Sequence, residues 1–400
     1  MLPEGGAPIA AVPDEAAPAA PPPLDHENLT FSIDDLLEVV VHRRASDLHL
    51  TSGSPPAIRI NGKIERLQEF GELTGDVTRQ LLYRITSTEQ QKELEERLNL
   101  DLSYPLPGLA RFRVNIFHQR ETLAAAFRII PSKIKSLPEL GMPGTIYELC
   151  ERPRGLIVVT GPTGSGKSTT LAALIDRINE TRSEHIITIE DPIEFVHFHK
   201  RCIVNQREIG ADALGFAEAL RAALREDPDV ILLGEMRDLE TISTALTAAE
   251  TGHLVFATVH TQDAPSAVDR IIDVFPADQQ QQIRVMVAST LQGVMTQNLL
   301  PTIDGTARVP AVEILLPDDA VRNLVRQGKL EQVYTSMQTG SNKGMQTMEQ
   351  SLADLVLSNV VSQETALSRS SRPQHLLELI QRGRATGQTV SPLAARLRTT

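Results

Sequence analysis

The run Gly161-Pro162-Thr163-Gly164-Ser165-Gly166-Lys167-Ser168-Thr169 puts glycines, a lysine and paired hydroxyls at the spacing of a phosphate-cradling loop. An apolar stretch, Leu156 to Thr160, precedes it and a helical pattern follows, which is the context the motif requires. Glycine lets successive backbone N–H groups turn toward phosphate oxygens, and the helix N-terminus adds the positive end of its dipole. At this spacing Lys167 is expected to reach the β- and γ-phosphates of ATP, and Ser168 to supply a hydroxyl ligand to Mg²⁺. An ordinary glycine-rich strand-to-helix turn would not need the lysine and the hydroxyls.

Hydrolysis asks for further groups to hold a metal and orient water. Val230-Ile231-Leu232-Leu233-Gly234-Glu235 reads as an apolar strand ending in a carboxylate, so Glu235 is the candidate metal-site acid. A second apolar run, Ile186 to Glu190, opens into Glu190-Asp191-Pro192-Ile193-Glu194. That acidic cluster repels itself unless a cation or proton is near. Glu190 is the candidate for positioning or activating water, with Glu194 left as the alternative, and a solvated acidic loop fits the spacing equally well. Thr251 to His260 sets His253 and His260 at opposite ends of one apolar strand, where a neutral imidazole could sense the γ-phosphate and a structural histidine is the plainer reading. His197 and His199 with Cys202 have metal-donor chemistry, but their spacing is too loose to call for zinc.

These residues need a scaffold. Strands Leu156–Thr160, Ile186–Glu190, Val230–Gly234 and Leu254–His260 alternate with helical segments, the pattern of a parallel sheet covered on both faces. Ahead of this α/β core lies a different pattern. Ser32 caps a helix carrying Ile33, Leu36, Leu37 and Val40. Short strands then run through Asp47–Thr51, Ala57–Ile60 and Lys63–Leu67, with a turn at Asn61-Gly62. Two helices, near 73–85 and 89–97, and a hairpin of Arg111–Phe117 with Thr122–Ile130 complete an α+β domain. The divisions expected are an Ala/Pro-rich disordered tail over 1–30, the α+β domain over 31–135 and the ATPase core over 136–276. Strands and a helical bundle follow over 277–368, with a weakly structured tail over 369–400.

Bulk properties narrow the function classes. Four hundred residues allow two sizeable cores, and 41% apolar with 22% charged residues is ordinary for a globular protein. The net charge of −12 argues against a protein that coats nucleic acid, so no specific nucleic-acid partner is expected. Cys150 and Cys202 form neither a disulfide framework nor a CxxC site, which fits a reducing cytoplasm. No apolar run approaches the length that spans a bilayer, and no export signal opens the chain.

Taken together, these segments resemble the PilT family of type IV pilus retraction ATPases, over most of residues 31 to 365. Thr188 to Phe195 resembles the family's acidic Asp box, Leu232 to Thr241 its atypical Walker B segment, and Thr251 to Thr261 its His box. Ala320-Val321-Arg322-Asn323-Leu324-Val325-Arg326 resembles the C-terminal motif AIRNLIRE, implicated in retraction, with Gln327 in place of the last acid and Ala257 where glycine is usual. The resemblance implies a RecA-like phosphate-loop core preceded by a PAS-like domain and followed by a helical C-terminal region. It also implies Mg-ATP hydrolysis by a homohexamer, and roles for both histidines. Arg113 and Arg128, on the two strands of the N-terminal hairpin, resemble an arginine pair that such ATPases direct at nucleotide. Arg221 and Arg225, one helical turn apart, resemble a second pair. The implied partners are an inner-membrane pilus platform protein and an accessory paralogous ATPase, at a cytoplasmic site on the inner membrane at the pilus base.

Three other readings stay open on these residues. One is an assembly, secretion or accessory ATPase of the same superfamily; another is a nucleotide-regulated subunit that is not a motor. A phosphotransferase also carries such a loop, though usually without a preceding α+β domain.

Overall fold

The computed structural model describes residues 30–60, 62–130 and 133–386. The Ala/Pro-rich stretch 1–29, Asn61 of the expected turn and residues 387–400 lie outside the described residues. Two compact units emerge, one formed by the chain up to Leu109 with Val114–Ile129, the other by Ala110–Arg113 and the chain from Ile130.

In the first unit, α1 (Ile33–His42) starts with a capping box: the Ser32 hydroxyl accepts from Asp35 N–H and the Asp35 carboxylate accepts from Ser32 N–H. Its buried face is Ile33, Leu36, Leu37 and Val40. Strands β1 (Asp47–Leu50), β2 (Ala57–Ile60) and β3 (Lys63–Arg66) precede helices α2 (Gly75–Tyr83) and α3 (Thr88–Arg97). Then come β4 (Asn99–Leu106), β5 (Ala110–Gln119) and β6 (Thr122–Ile130), giving one sheet of order β3-β2-β1-β6-β5-β4. β4 was not legible in the sequence. It holds Asp101 and Pro105, and such residues suit an edge strand, whose outer backbone needs no partner.

The second unit begins with the short α4 (Tyr147–Cys150), whose Leu149 and Cys150 are buried in its core. Next are β7 (Gly155–Thr160), α5 (Lys167–Thr181), β8 (His185–Glu190), β9 (Ile203–Glu208), α6 (Phe216–Ala223), β10 (Val230–Leu233), α7 (Leu239–Glu250) and β11 (Leu254–Thr258). They are followed by α8 (Ala264–Asp273), α9 (Gln280–Thr290), β12 (Leu291–Pro301) and β13 (Arg308–Leu315). Five further helices close the unit: α10 (Asp319–Gln327), α11 (Val333–Thr339), α12 (Met348–Leu357), α13 (Gln363–Arg369) and α14 (Pro373–Thr386).

The sheet runs β13-β12-β7-β11-β10-β8-β9, and only the β12/β13 pair is antiparallel. The strands β7, β10 and β11 are buried along their whole length, which is why they read as unbroken apolar runs. Alternate residues serve opposite faces. Leu156, Val158, Ile231 and Leu233 pack on α6, α7, α8 and α9, while Ile157, Val159, Val230 and Leu232 pack on α4 and α5.

Three expectations need correction. β12 and β13 extend the core's own sheet, so the division expected after residue 276 cuts through one packed layer. β9 was missed because an edge strand of sequence Ile-Val-Asn-Gln-Arg-Glu carries little apolar signal. The stretch from 369 is not all weakly structured: α14 buries Leu376, Ile380 and Gly383, and a Cβ at Gly383 would lie 2.4 Å from Leu357 Cδ1. That close approach to α12 is a tertiary fact with no local sequence signature.

Candidate nucleotide-binding site

Register fixes the strand tips. Leu233 of β10 pairs with Ile189 of β8 and Ala257 of β11, and Thr258 pairs with Val159 of β7. The segments that follow are tied together: Thr258 Oγ1 donates to Gly234 O at 2.5 Å, Thr261 N–H donates to Thr160 Oγ1 at 2.8 Å, and Gly234 N–H donates to Ile189 O at 2.8 Å. A Cβ at Gly234 would stand 3.3 Å from Glu190 Cα, so glycine there lets the Glu235 and Glu190 segments approach. Phosphate loop, Asp-box acids, Glu235 and His260 thereby share the carboxyl end of the sheet, where open α/β sheets bind ligands.

The loop itself is shaped as a cradle. Gly161, Gly164 and Gly166 take φ of 138°, 76° and 90°, a region closed to most side chains. Nothing lies within 4 Å of a Cβ built on Gly164. Ser165 Oγ is buried with no partner among the described residues, an orphaned polar atom of the kind a phosphate oxygen satisfies. Pro162 and Thr163 lie exposed in the loop, and Ser168 and Thr169 form the first turn of α5. The Lys167 ammonium is buried and donates to Gly161 O at 2.8 Å and Pro162 O at 3.2 Å. Burial pulls its pKa down, against the pull of Glu235 and Glu194 in the other direction. An ammonium parked on two loop carbonyls beside two carboxylates is poised for a polyanion. These features fit the phosphates of ATP.

Glu235 is partly buried, with Oε1 2.6 Å from Arg237 Nε and 3.4 Å from His260 Nε2. Burial raises its pKa, but the Arg237 hydrogen bond, then His260, Arg237 and Lys167 as charges, outweigh that and hold it below the usual carboxylate range. It is therefore an ionised hard oxygen donor, and with the Ser168 hydroxyl it forms a donor set that fits Mg²⁺. Among the described residues no three His, Cys, Asp or Glu side chains gather as a metal site. An ion here would thus draw most of its ligands from phosphate oxygens, Ser168 and water. His197, His199 and Cys202 are not a zinc centre: His199 Nδ1 accepts from Val204 N–H, and Cys202 Sγ donates to Ile178 O and Arg182 O.

The two Asp-box carboxylates have different surroundings. Glu190 Oε1 accepts from Thr188 Oγ1 at 2.7 Å and Gln206 Nε2 at 3.1 Å, its Oε2 accepts from Glu194 N–H at 3.4 Å, and burial pushes its pKa up. Its oxygens are already engaged in holding the turn. Glu194 is exposed, and its charge acts on Lys167. The sequence offered no way to rank the two.

Of the other predicted residues, all but Arg113 are seen to bond within their own unit. His253 sits at the opposite end of β11 from His260, its Nδ1 donating to Ala248 O at 2.9 Å, so within one chain it is a helix-to-strand latch. Arg221 pairs with Glu240, and Arg225 Nη1 donates to Arg221 O at 3.1 Å. Arg113 is exposed on β5; Arg128, exposed on the neighbouring β6, donates to Asp47 Oδ1 at 2.8 Å.

Residues 24–394 match the model of the Type II/IV secretion system protein family. The chain is 51% identical over 345 residues to the type IV pilus retraction ATPase PilT of Pseudomonas aeruginosa, covering 86% of this chain and 100% of that protein. It is 49% identical over 354 residues to the Twitching motility protein of Neisseria gonorrhoeae, 87% of this chain and 93% of the other. The crystal structure of the pilus retraction motor PilT with bound ADP matches with a TM-score of 0.82 at 51% identity, covering 87% of this chain and 99% of that one. A phosphate cradle, an ionised acid and a histidine on the tips of one parallel sheet, with identity of this order along whole relatives, make the chain a member of the PilT family of secretion-type ATPases.

Proposed function

We propose that this chain is a motor that couples Mg-ATP hydrolysis to retraction of type IV pili, working as a homohexamer at the cytoplasmic face of the inner membrane. The observation that carries the reading is the Lys167–Glu235–His260 cluster beside the phosphate cradle, in a chain half identical to a pilus retraction ATPase over that protein's full length. No helix among the described residues is long and apolar enough to cross a membrane; the partner proposed for the chain is an inner-membrane platform protein of the pilus. A paralogous ATPase is proposed as a second partner.

The chemistry divides among the chain's residues. Loop N–H groups and the α5 dipole hold the phosphates, and Lys167 leaves its two carbonyls to meet them. Ser168 and Glu235 would hold Mg²⁺, which neutralises charge on the phosphate oxygens when bound. Glu194, exposed and beside Lys167, is assigned the orientation of the attacking water, and Glu190 the support of its turn. His260, fixed against Glu235, faces the same end of the sheet and reports the state of the phosphate. Arg113 and Arg128 are proposed to act across subunits on the developing charge of the transferred group; Arg221 and Arg225 are proposed to assist from α6. His253 is proposed to act on a neighbouring subunit's site.

The test has two arms. Purified protein with Mg-ATP and no phosphoryl acceptor releases phosphate on this reading, which a phosphotransferase or a non-hydrolysing subunit would not do. A deletion strain should be hyperpiliated and lose surface motility; a strain without pili would make the chain an assembly motor instead.

A further inference from the structure

Gln297 lies on β12, outside every motif that marks the nucleotide site, and is 2% exposed. Thr296 pairs in parallel with Thr160 of β7, so the next residue runs beside Gly161, where the phosphate loop begins. Gln297 meets the loop in three places. Its backbone carbonyl would stand 2.3 Å from a Cβ on Gly161. Its Nε2 would stand 2.8 Å from a Cβ on Gly166, the last glycine of the loop. Its Oε1 accepts from Thr170 Oγ1 at 2.8 Å, in the first turn of α5, and Thr170 is fully buried. Two of the three left-handed glycines are thus required where Gln297 packs, besides their φ values.

A cradle that aims backbone N–H groups gains its advantage only if the groups are held before the ligand arrives. Its own hydrogen bonds to phosphate cannot hold it in the empty state. A buried residue whose backbone carbonyl meets the start of the loop, and whose side-chain amide meets its last glycine and the helix beneath, can, because a dry, close-packed contact has little freedom to shift. The side chain of Gln297 and its neighbour Leu299, which lies 3.4 Å from a Cβ on Gly166, form a floor under the loop.

We infer that Gln297 is a positioning residue for ATP hydrolysis, holding the phosphate loop and the first turn of α5 in their nucleotide-binding geometry from beneath. This rests on the phosphate-loop reading of the site, and Lys167→Ala provides the control for that reading. The competing account is that Gln297 and Thr170 only satisfy each other's buried polar atoms. The two accounts differ in the double variant Gln297→Met with Thr170→Val, which replaces both partners by apolar groups of similar shape and costs little stability.

Melting temperature, ATP turnover and nucleotide affinity would be measured for Gln297→Met, Thr170→Val and the double variant. The expected result is a double variant with near wild-type melting temperature whose kcat/KM stays down by roughly tenfold or more, as slight misplacement of a catalytic frame costs. A double variant with wild-type stability and wild-type turnover would overturn the inference. Should Gln297→Met or the double variant fail to fold, Thr170→Val alone decides by amide hydrogen exchange at Gly164–Lys167 without nucleotide. Faster exchange there with unchanged melting temperature supports positioning, and unchanged exchange refutes it. If Lys167→Ala keeps full turnover, the site reading itself fails; if only the Gln297 variants behave as wild type, this inference alone fails.

Discussion

His260 Nε2 stands 3.4 Å from Glu235 Oε1, joining the end of β11 to the end of β10 across a site that neither strand forms alone. Glu235→Gln keeps the shape but removes the charge that faces Lys167 and the metal. Nucleotide binding should persist while turnover falls by about two orders of magnitude, a typical loss for one group acting in the transition state. Fluorescent-nucleotide titration beside phosphate release measures both; lost binding with turnover retained would contradict the assignment.

Glu190 and Glu194 should separate on substitution to Gln. The Glu190 side chain accepts hydrogen bonds from Thr188 and Gln206 through Oε1, which an amide oxygen can still do. Glu190→Gln is therefore expected to lose only a few-fold in kcat, and Glu194→Gln roughly a hundredfold, the lower end for a proton-handling or water-orienting carboxylate. The reverse order in steady-state phosphate release would return the role to Glu190.

Glu313 is a buried carboxyl at the start of two helices. It accepts from Ala264 N–H of α8 at 2.7 Å, Met348 N–H of α12 at 3.3 Å and Thr296 Oγ1 at 3.2 Å. Burial is the largest influence, and with the Asp263 charge it outweighs those donors and pushes the pKa from 4.5 up to about 7. The folded chain holds this proton more tightly than the unfolded chain. Its stabilising share is complete below pH 4.5 and fades as the pH rises through about 7. Glu313→Gln should flatten the difference in melting temperature between pH 5 and pH 8; parallel curves for wild type and variant would refute this.

The retraction-like motif splits into two roles. Arg322 Nη1 donates to Ala288 O at 2.5 Å and Ser289 O at 3.3 Å, closing the C-terminus of α9, and Leu324 packs on the core. Changes at either should therefore lower melting temperature as well as motility. Arg326 is exposed on α10. Arg326→Ala should leave melting temperature and ATP turnover within about 0.5 kcal/mol of wild type, as surface changes do, while reducing surface motility; unchanged motility would remove the helix from the partner surface.

What the sequence determined by itself was whatever rests on short-range chemistry. The phosphate loop is contiguous because backbone N–H groups must converge within a few residues. The central strands β7, β8, β10 and β11 are legible because burial on both faces leaves an unbroken apolar signature, and α1 announces itself through its capping box. Tertiary structure decided what depends on the neighbours of a side chain. Glu190 and Glu194 are equivalent acids in one turn until Thr188 and Gln206 claim one of them. His253 and His260 stand at opposite ends of one strand already in the sequence, but only the parallel pairing of β11 with β7 sets His260 at the end that carries the phosphate loop. Gln297 stands 127 residues from Thr170, and no local pattern marks it, because its place beneath the loop arises only when β12 aligns beside β7.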